Sequence, residues 1–427
     1  MCMGKPMRSA FGGSLFRKMK GLEFAALHVQ VEAMDFDTII IGAGAAGMMC
    51  AAHSAGRTLV LDHAKAAGEK IRISGGGRCN FTNLGASHAN FISQNAHFCK
   101  SALSRYTQWD FLGLIAKYEI AWHEKTLGQL FCDGSAKQIV AMLLEEMKRT
   151  GAELWLNASV KKVDHDGVAY RLSVLRDGKR IDLSARNLVL ASGGKSIPKM
   201  GATGFAYDIA RQFGLNLTDI RPALVPLTFS DQRYMAISGV SAPSRVSANG
   251  TTFEEATLFT HRGLSGPAIL QASSYWRDGD PVVLDIDPNG TLFEALRTAR
   301  QTQGKKDITT VLTQSYPARL VQHLSEEIGI GGRIGDQSDR ALQELCDKLR
   351  NWSQVPTGSE GYRTAEVTLG GIDTDHVSSK TMEAKARKGL YVIGEAIDVT
   401  GWLGGYNFQW AWSSGWAAGT AISATLN

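Results

Sequence analysis

The 427-residue chain is 44% apolar and 20% charged, a composition that fits a globular protein of two or three domains and excludes a disordered one. The formal charge is +5, but residues 1–33 hold five Lys or Arg against two Glu, so charge alone argues little for nucleic acid. The apolar runs are too short or too broken to cross a membrane. The six cysteines form no CxxC pair and no metal-finger spacing, which argues against a bound metal and suits a reducing, cytoplasmic setting.

Residues 1–33 lack the continuous apolar stretch of a secretory signal. They read as a mobile extension or as a misassigned upstream start, with Met34 as the alternative start. Thr38-Ile39-Ile40-Ile41 then predicts a short buried strand. It runs into Gly42-Ala43-Gly44-Ala45-Ala46-Gly47, a small-residue helix to Ala55, and a second apolar run, Thr58–Leu61, ending in Asp62. Strand, glycine turn, helix, strand and acid in that order form a dinucleotide-binding unit. Gly42 permits the tight turn, Gly44 admits a pyrophosphate, and Gly47 allows close helix packing. Asp62 is suited to the ribose hydroxyls of an adenosine.

A second glycine-rich stretch follows, with Lys70, Arg72, Ser74, Gly75, Gly76, Gly77, Arg78, Cys79 and Asn80. It predicts a loop able to lie against a flat or phosphorylated ligand, with three cations for a pyrophosphate. Residues 99–121 carry a helical rhythm, a strand pair surrounds 128–132, and Lys137–Arg149 predicts an amphipathic helix. From Leu154 to Leu190 strand patterns alternate with turns in a β-meander that ends at Gly193-Gly194. Residues 205–365 change character, mixing short strands with helices at Leu292–Gln303, Thr309–Gly329 and Asp339–Trp352, and predict an inserted substrate or cap domain. The last segment returns to the first domain. It holds a strand ending in Gly394-Glu395, where Glu395 or Asp398 is placed to hold ribityl hydroxyls. A long helix then opens near Gly404-Gly405-Tyr406-Asn407.

Four motifs together, Ser74–Asn80, Gly193-Gly194-Lys195, Thr260–Pro267 and Gly404–Trp412, resemble those of the YhiN/BaiN-type bacterial flavoproteins from about Asp37 to the C-terminus. Residues 1–33 have no counterpart, and Phe131-Cys132 stands where many relatives have Phe-Pro. The resemblance implies FAD and an α/β fold. A split Rossmann-like FAD-binding domain with its β-meander takes residues 34–204 and 366–427, and the insert carries a β-barrel and helices. Family activities include reduction of a ribosomal RNA uridine to dihydrouridine and of unsaturated steroid ketones; Asp398–Gly405 is similar to the branch with the RNA substrate.

Such a reduction needs hydride from the flavin and a proton from a general acid. Cys79 is the first candidate for that acid and His261 the second, with Cys132 and Tyr406 behind. NAD(P)H is expected as a transient electron donor, since no second strand-plus-GxGxxG unit occurs. For an RNA partner the insert offers Arg211, Arg221, Arg233, Arg245, Arg262, Lys305, Lys306, Arg319 and Arg333, with Trp276, Tyr316 and Trp352 as stacking groups. The competing expectations are a small-molecule flavin oxidase or enone reductase acting on an unsaturated substrate, or a non-catalytic FAD-containing redox sensor.

Overall fold

The structure is a computed structural model; it describes residues 35–426 and, before them, Met1 alone. The expectations for residues 1–33 therefore lie outside the described residues.

The strand Phe36–Ile41 is buried on both faces, as its run of isoleucines requires. It pairs in parallel with Thr58–Leu61 on one side and with the end of the long strand Lys179–Leu190 on the other. Glu153–Trp155 and Leu390–Val392 complete the parallel sheet, whose C-terminal edges carry the glycine-rich turns. Lys179–Leu190 joins the parallel and antiparallel halves of one seven-stranded sheet. Residues 179–185 pair antiparallel with Tyr170–Arg176 in the meander, and residues 185–190 join the parallel sheet.

The final helix, Tyr406–Leu426, packs along the short helix Ala45–Ala51. Gly415 and Gly419 make this approach possible: a Cβ at either would lie 2.5 Å from a backbone oxygen, of Ala46 or Cys50. Two buried indoles fix the helix lengthwise. Trp410 donates to Gly394 O at 3.0 Å, while Trp412 donates to Phe81 O at 2.8 Å and stacks on Phe111.

The insert has its own apolar core, running from Leu227 to Trp352. Its seven-stranded antiparallel sheet starts at Trp352–Gln354 and ends at Gly358–Ser359. Those edge strands are separated by three residues, which span at most about 14 Å. A flat sheet of seven strands would hold its edges roughly 29 Å apart. The sheet must therefore curl, which yields the expected barrel. Helices Leu292–Thr302, Ala318–Ile328 and Asp339–Arg350 cover it.

Three local expectations change. The helix foreseen over 309–329 is two, Ile308–Leu312 and Ala318–Ile328, because Pro317 has no N–H to continue the first. The loop foreseen at Lys70–Asn80 begins as a helix at Glu69 and leaves helical geometry at Ser74. Helix Phe205–Gln212, foreseen in the insert, buries Ala206, Tyr207, Ile209 and Ala210 in the first core. The chain crosses between the two cores through the antiparallel pair Arg221–Ala223 and Val367–Leu369.

Candidate active site

A cavity of about 920 Å³ runs from the C-terminal edge of the parallel sheet to the insert, at the upper end of the size range for small-molecule sites. At its sheet end the three glycines of the first turn have different surroundings. A Cβ on Gly42 would overlap the Ala191 carbonyl oxygen, and one on Gly47 would overlap the Gly42 carbonyl oxygen. A Cβ on Gly44 would meet nothing within 4 Å, because that position faces the cavity. Gly42 and Gly47 thus serve packing, and Gly44 leaves room for a ligand. Asp62 lines the same end. Its carboxylate accepts from Ala43 N at 2.7 Å and from Ala64 N at 2.8 Å, which fixes it at the strand tip.

Further along the wall, Ser74, Gly75 and Gly76 turn beneath the Phe131 ring. Gly76 has φ +66° and open space where a side chain would stand, a second cradle. Opposite it, Gly404 and Gly405 bring the start of the final helix against Thr82 and Gln129. Asn407 clamps that turn by bonding both the N–H and the C=O of Gly401 at 2.8 Å. Lys70 and Glu395 close the floor as an ion pair of 2.8 Å. Glu395 also accepts from Ser196 Oγ and Thr368 N, each at 2.9 Å. Burial would raise this carboxyl, but Lys70 and these hydrogen bonds outweigh it and hold the group below the usual carboxylate range.

The insert supplies the remaining wall. Trp402 crosses to it, donating to Tyr275 Oη at 2.8 Å with its edge on Phe253. Glu255, two residues beyond Phe253, accepts from Gln271 at 2.6 Å. Glu366 immediately precedes the crossing strand Val367–Leu369, and its backbone N–H donates to Leu224 O. Leu224 and its neighbour Val367 share a small apolar cluster with Leu403, which brings Glu366 beside the Gly404-Gly405 turn. The Glu366 side chain is exposed to the cavity yet enclosed by protein, and no described residue bonds its carboxyl. Desolvation raises the pKa of both Glu255 and Glu366, so each holds its proton to higher pH than a surface glutamate.

The cavity brings together Gly42, Gly44, Ala45, Ala46, Asp62, Lys70, Ser74, Gly75, Gly76, Asn80, Gly193, Gly394, Glu395, Gly404, Gly405 and Asn407. Several expected residues lie elsewhere. Cys79 is fully buried behind the glycine turn with φ +53°, and burial pushes its thiol up to about 12. It is a packing residue and not an acid at the cavity. His261 is exposed on the insert and lines a separate cavity. Cys132 is buried, and burial pushes its thiol up to about 11; Tyr406 is buried behind the wall. Gly47, Gly77 and Gly194 support the wall from behind. Arg72 bonds Ala67 O and Arg78 faces solvent, so neither reaches a pyrophosphate. Lys70 does line the cavity, but its charge is committed to Glu395. Asp398 is buried and caps Gln94 N at 2.9 Å, so it holds no ribityl hydroxyl. In the insert, Trp276 and Trp352 are core residues and cannot stack on a base.

The matching family model is described as "HI0933-like protein Rossmann domain" and covers residues 36–421. The chain belongs to this family. It is 49% identical to the ribosomal RNA dihydrouridine synthase of Escherichia coli K12 over 401 residues, 91% of this chain and 98% of the relative. The Haemophilus influenzae protein of the same name is 46% identical over 394 residues, with the same coverage of both chains. The 3-dehydro-bile acid delta(4,6)-reductase of Clostridium scindens is 27% identical over 409 residues, 90% of this chain and 98% of the relative. Among solved structures, a 3-ketosteroid-delta4-(5alpha)-dehydrogenase from Rhodococcus jostii shares the fold, with TM-score 0.51 and 12% identity over 92% of this chain and 98% of that one. This family member is an FAD-dependent oxidoreductase built on a split Rossmann-like domain. FAD fits the observed wall: the two open glycine positions at Gly44 and Gly76, the fixed Asp62 carboxylate and a cavity of about 920 Å³ suit a dinucleotide. Among the described residues no helix is long and apolar enough to cross a membrane.

Proposed function

We propose that this chain reduces the C5=C6 bond of a uridine in ribosomal RNA to dihydrouridine, with NAD(P)H as the electron donor. The observation that carries the reading is near-half identity to two ribosomal RNA dihydrouridine synthases along nine-tenths of the chain. Bound FAD supplies the hydride chemistry. Asp62 would hold the adenosine ribose, and the Gly42–Ala46 turn the pyrophosphate. The turns at Ser74–Gly76 and Gly404–Gly405 would flank the ring.

The protein's own chemical contribution is the proton. Glu366 is our proton donor: it reaches the cavity beside the Gly404-Gly405 turn, has no described partner to surrender, and keeps its proton because its surroundings disfavour the charged form. Glu255 is less suited, since its carboxylate is already engaged by Gln271. Lys70 and Glu395 neutralise each other and position the floor without exchanging protons with substrate. Trp402 and Leu403 exclude water from the insert side. NAD(P)H and the target base would use the same insert-side opening in turn.

Anaerobic mixing of the flavin-loaded protein with NADPH or NADH, followed by ribosomal RNA lacking the modification, tests this reading. Bleaching of the flavin by a nicotinamide and its recovery on adding RNA, with dihydrouridine formed, is the expected result. A flavin inert to both nicotinamides would sink the proposed donor.

A further inference from the structure

The insert carries a second cavity, of about 550 Å³, that the redox site does not use. Arg262 and Arg363 enter it from two different segments, with His261 beside them, and Glu360 is the one acidic residue on its wall. Arg262 sits 3.8 Å from Glu360, too long for a hydrogen bond, and Arg363 has no carboxylate partner among the described residues. Ser230, Ser359 and Gln232 add neutral donors. Arg319, which is not part of the cavity lining, bonds the carbonyls of Ala236 and Ser238, close in sequence to the lining residue Met235. The groups are those that recognise a phosphate: planar guanidiniums with hydroxyl and amide donors around them.

Its position adds the second half of the argument. Glu360 and Arg363 line this cavity, while Glu366 lines the redox cavity. The segment between them turns through Gly361–Arg363 and accepts Ile197 N on Tyr362 O, and Ile197 belongs to the redox wall. Six residues span at most about 20 Å even when extended. The two cavities therefore have lining residues within about 20 Å of each other along this segment. A nucleoside would occupy only the first, whereas a polynucleotide can place a base there and a flanking phosphate in the second.

We propose that the Arg262–Arg363 cavity holds a backbone phosphate of the RNA that presents the target base. This inference rests on the reading of RNA as substrate. It gives His261 and Arg262 of the Thr260–Pro267 motif a task, while Pro267 lines the redox cavity.

The test is equilibrium binding of a short single-stranded, uridine-containing RNA to the FAD-loaded protein across a salt series, read without turnover. Arg262→Ala with Arg363→Ala should weaken binding about tenfold or more and reduce the slope of log K on log salt by roughly 0.7 to 1, the loss of one neutralised phosphate. FAD content of the same samples serves as the folding control. Glu360→Gln, which removes the opposing charge, should tighten binding about threefold. Unchanged affinity and slope in the double variant would overturn the inference. So would displacement of RNA by inorganic phosphate at an equal concentration of phosphate groups, since the cavity would then belong to a free anion. The dihydrouridine content of a deletion strain tests the substrate reading separately, so either can fail alone.

Discussion

Replacing Glu366 by Gln removes the proposed proton donor while keeping its shape. General acid catalysis is worth about 10²- to 10⁴-fold, so the turnover of uridine should fall by that factor, which is roughly 3–5 kcal/mol of barrier. The fold should not suffer, because no described residue bonds the carboxyl and none would lose a partner. The stability effect has a definite sign. Desolvation raises the folded-state pKa of Glu366. Its favourable contribution is therefore complete below the unfolded value, about 4.3, and is lost as pH rises through the folded value. Above that range the glutamate penalises the folded state, so Glu366→Gln should match or exceed the wild-type melting temperature at pH 8 and gain on it between pH 5 and pH 8. Wild-type turnover should itself decline as pH rises through the same value. The assay is single-turnover reoxidation of nicotinamide-reduced flavin by RNA, with flavin content and thermal melting on the same samples. A variant within threefold of wild-type turnover, or one that melts several degrees lower at pH 8, would refute the reasoning.

Cys79→Ala should retain flavin and turnover within about twofold and cost about 1 kcal/mol of stability, measured by urea melts, because the thiol is a buried packing group. Gly44→Val should fold with a near-normal melting temperature but lose FAD, whereas Gly47→Val should fail to give stable protein; absorbance at 450 nm and thermal melting separate the two. Lys70→Met leaves Glu395 with no cation in a mostly buried position. It should destabilise by about 2 kcal/mol, discounted from the fully buried case because the Lys70 side chain is 34% exposed. The pKa of Glu395 is lowered by this pair, so its contribution is present above the unfolded value of about 4.3 and disappears as pH falls through the folded one. Acid titration of wild type should show that loss and Lys70→Met should not.

The nucleotide end was legible because its chemistry is local. Gly42, Gly44, Gly47 and Asp62 fall within one strand–turn–helix–strand unit, and the structure finds Gly42 and Gly47 packed against backbone, Gly44 facing the cavity and Asp62 fixed at the strand tip. The insert barrel was visible through the resemblance more than through its strands, several of which are only two or three residues long. The proposed proton donor was not legible. Cys79 attracts attention beside three glycines, but its backbone turns the thiol into the core, and only tertiary packing decides that. Glu366 and Glu255 carry no local mark at all. They meet the cavity because an antiparallel crossing pair and a barrel strand converge there, more than 300 residues from the first glycine turn in the case of Glu366. Lys70 and Glu395 show the converse: each fits a ligand-binding role singly, but 325 residues of intervening chain fold so that they satisfy each other.

The claim that this protein makes dihydrouridine in ribosomal RNA is tested most directly by nucleoside mass spectrometry of ribosomal RNA from a strain lacking the gene. Dihydrouridine at its ribosomal position should vanish, return with the wild-type gene, and stay absent with the Glu366→Gln gene. An unchanged dihydrouridine content in the deletion strain would contradict the account.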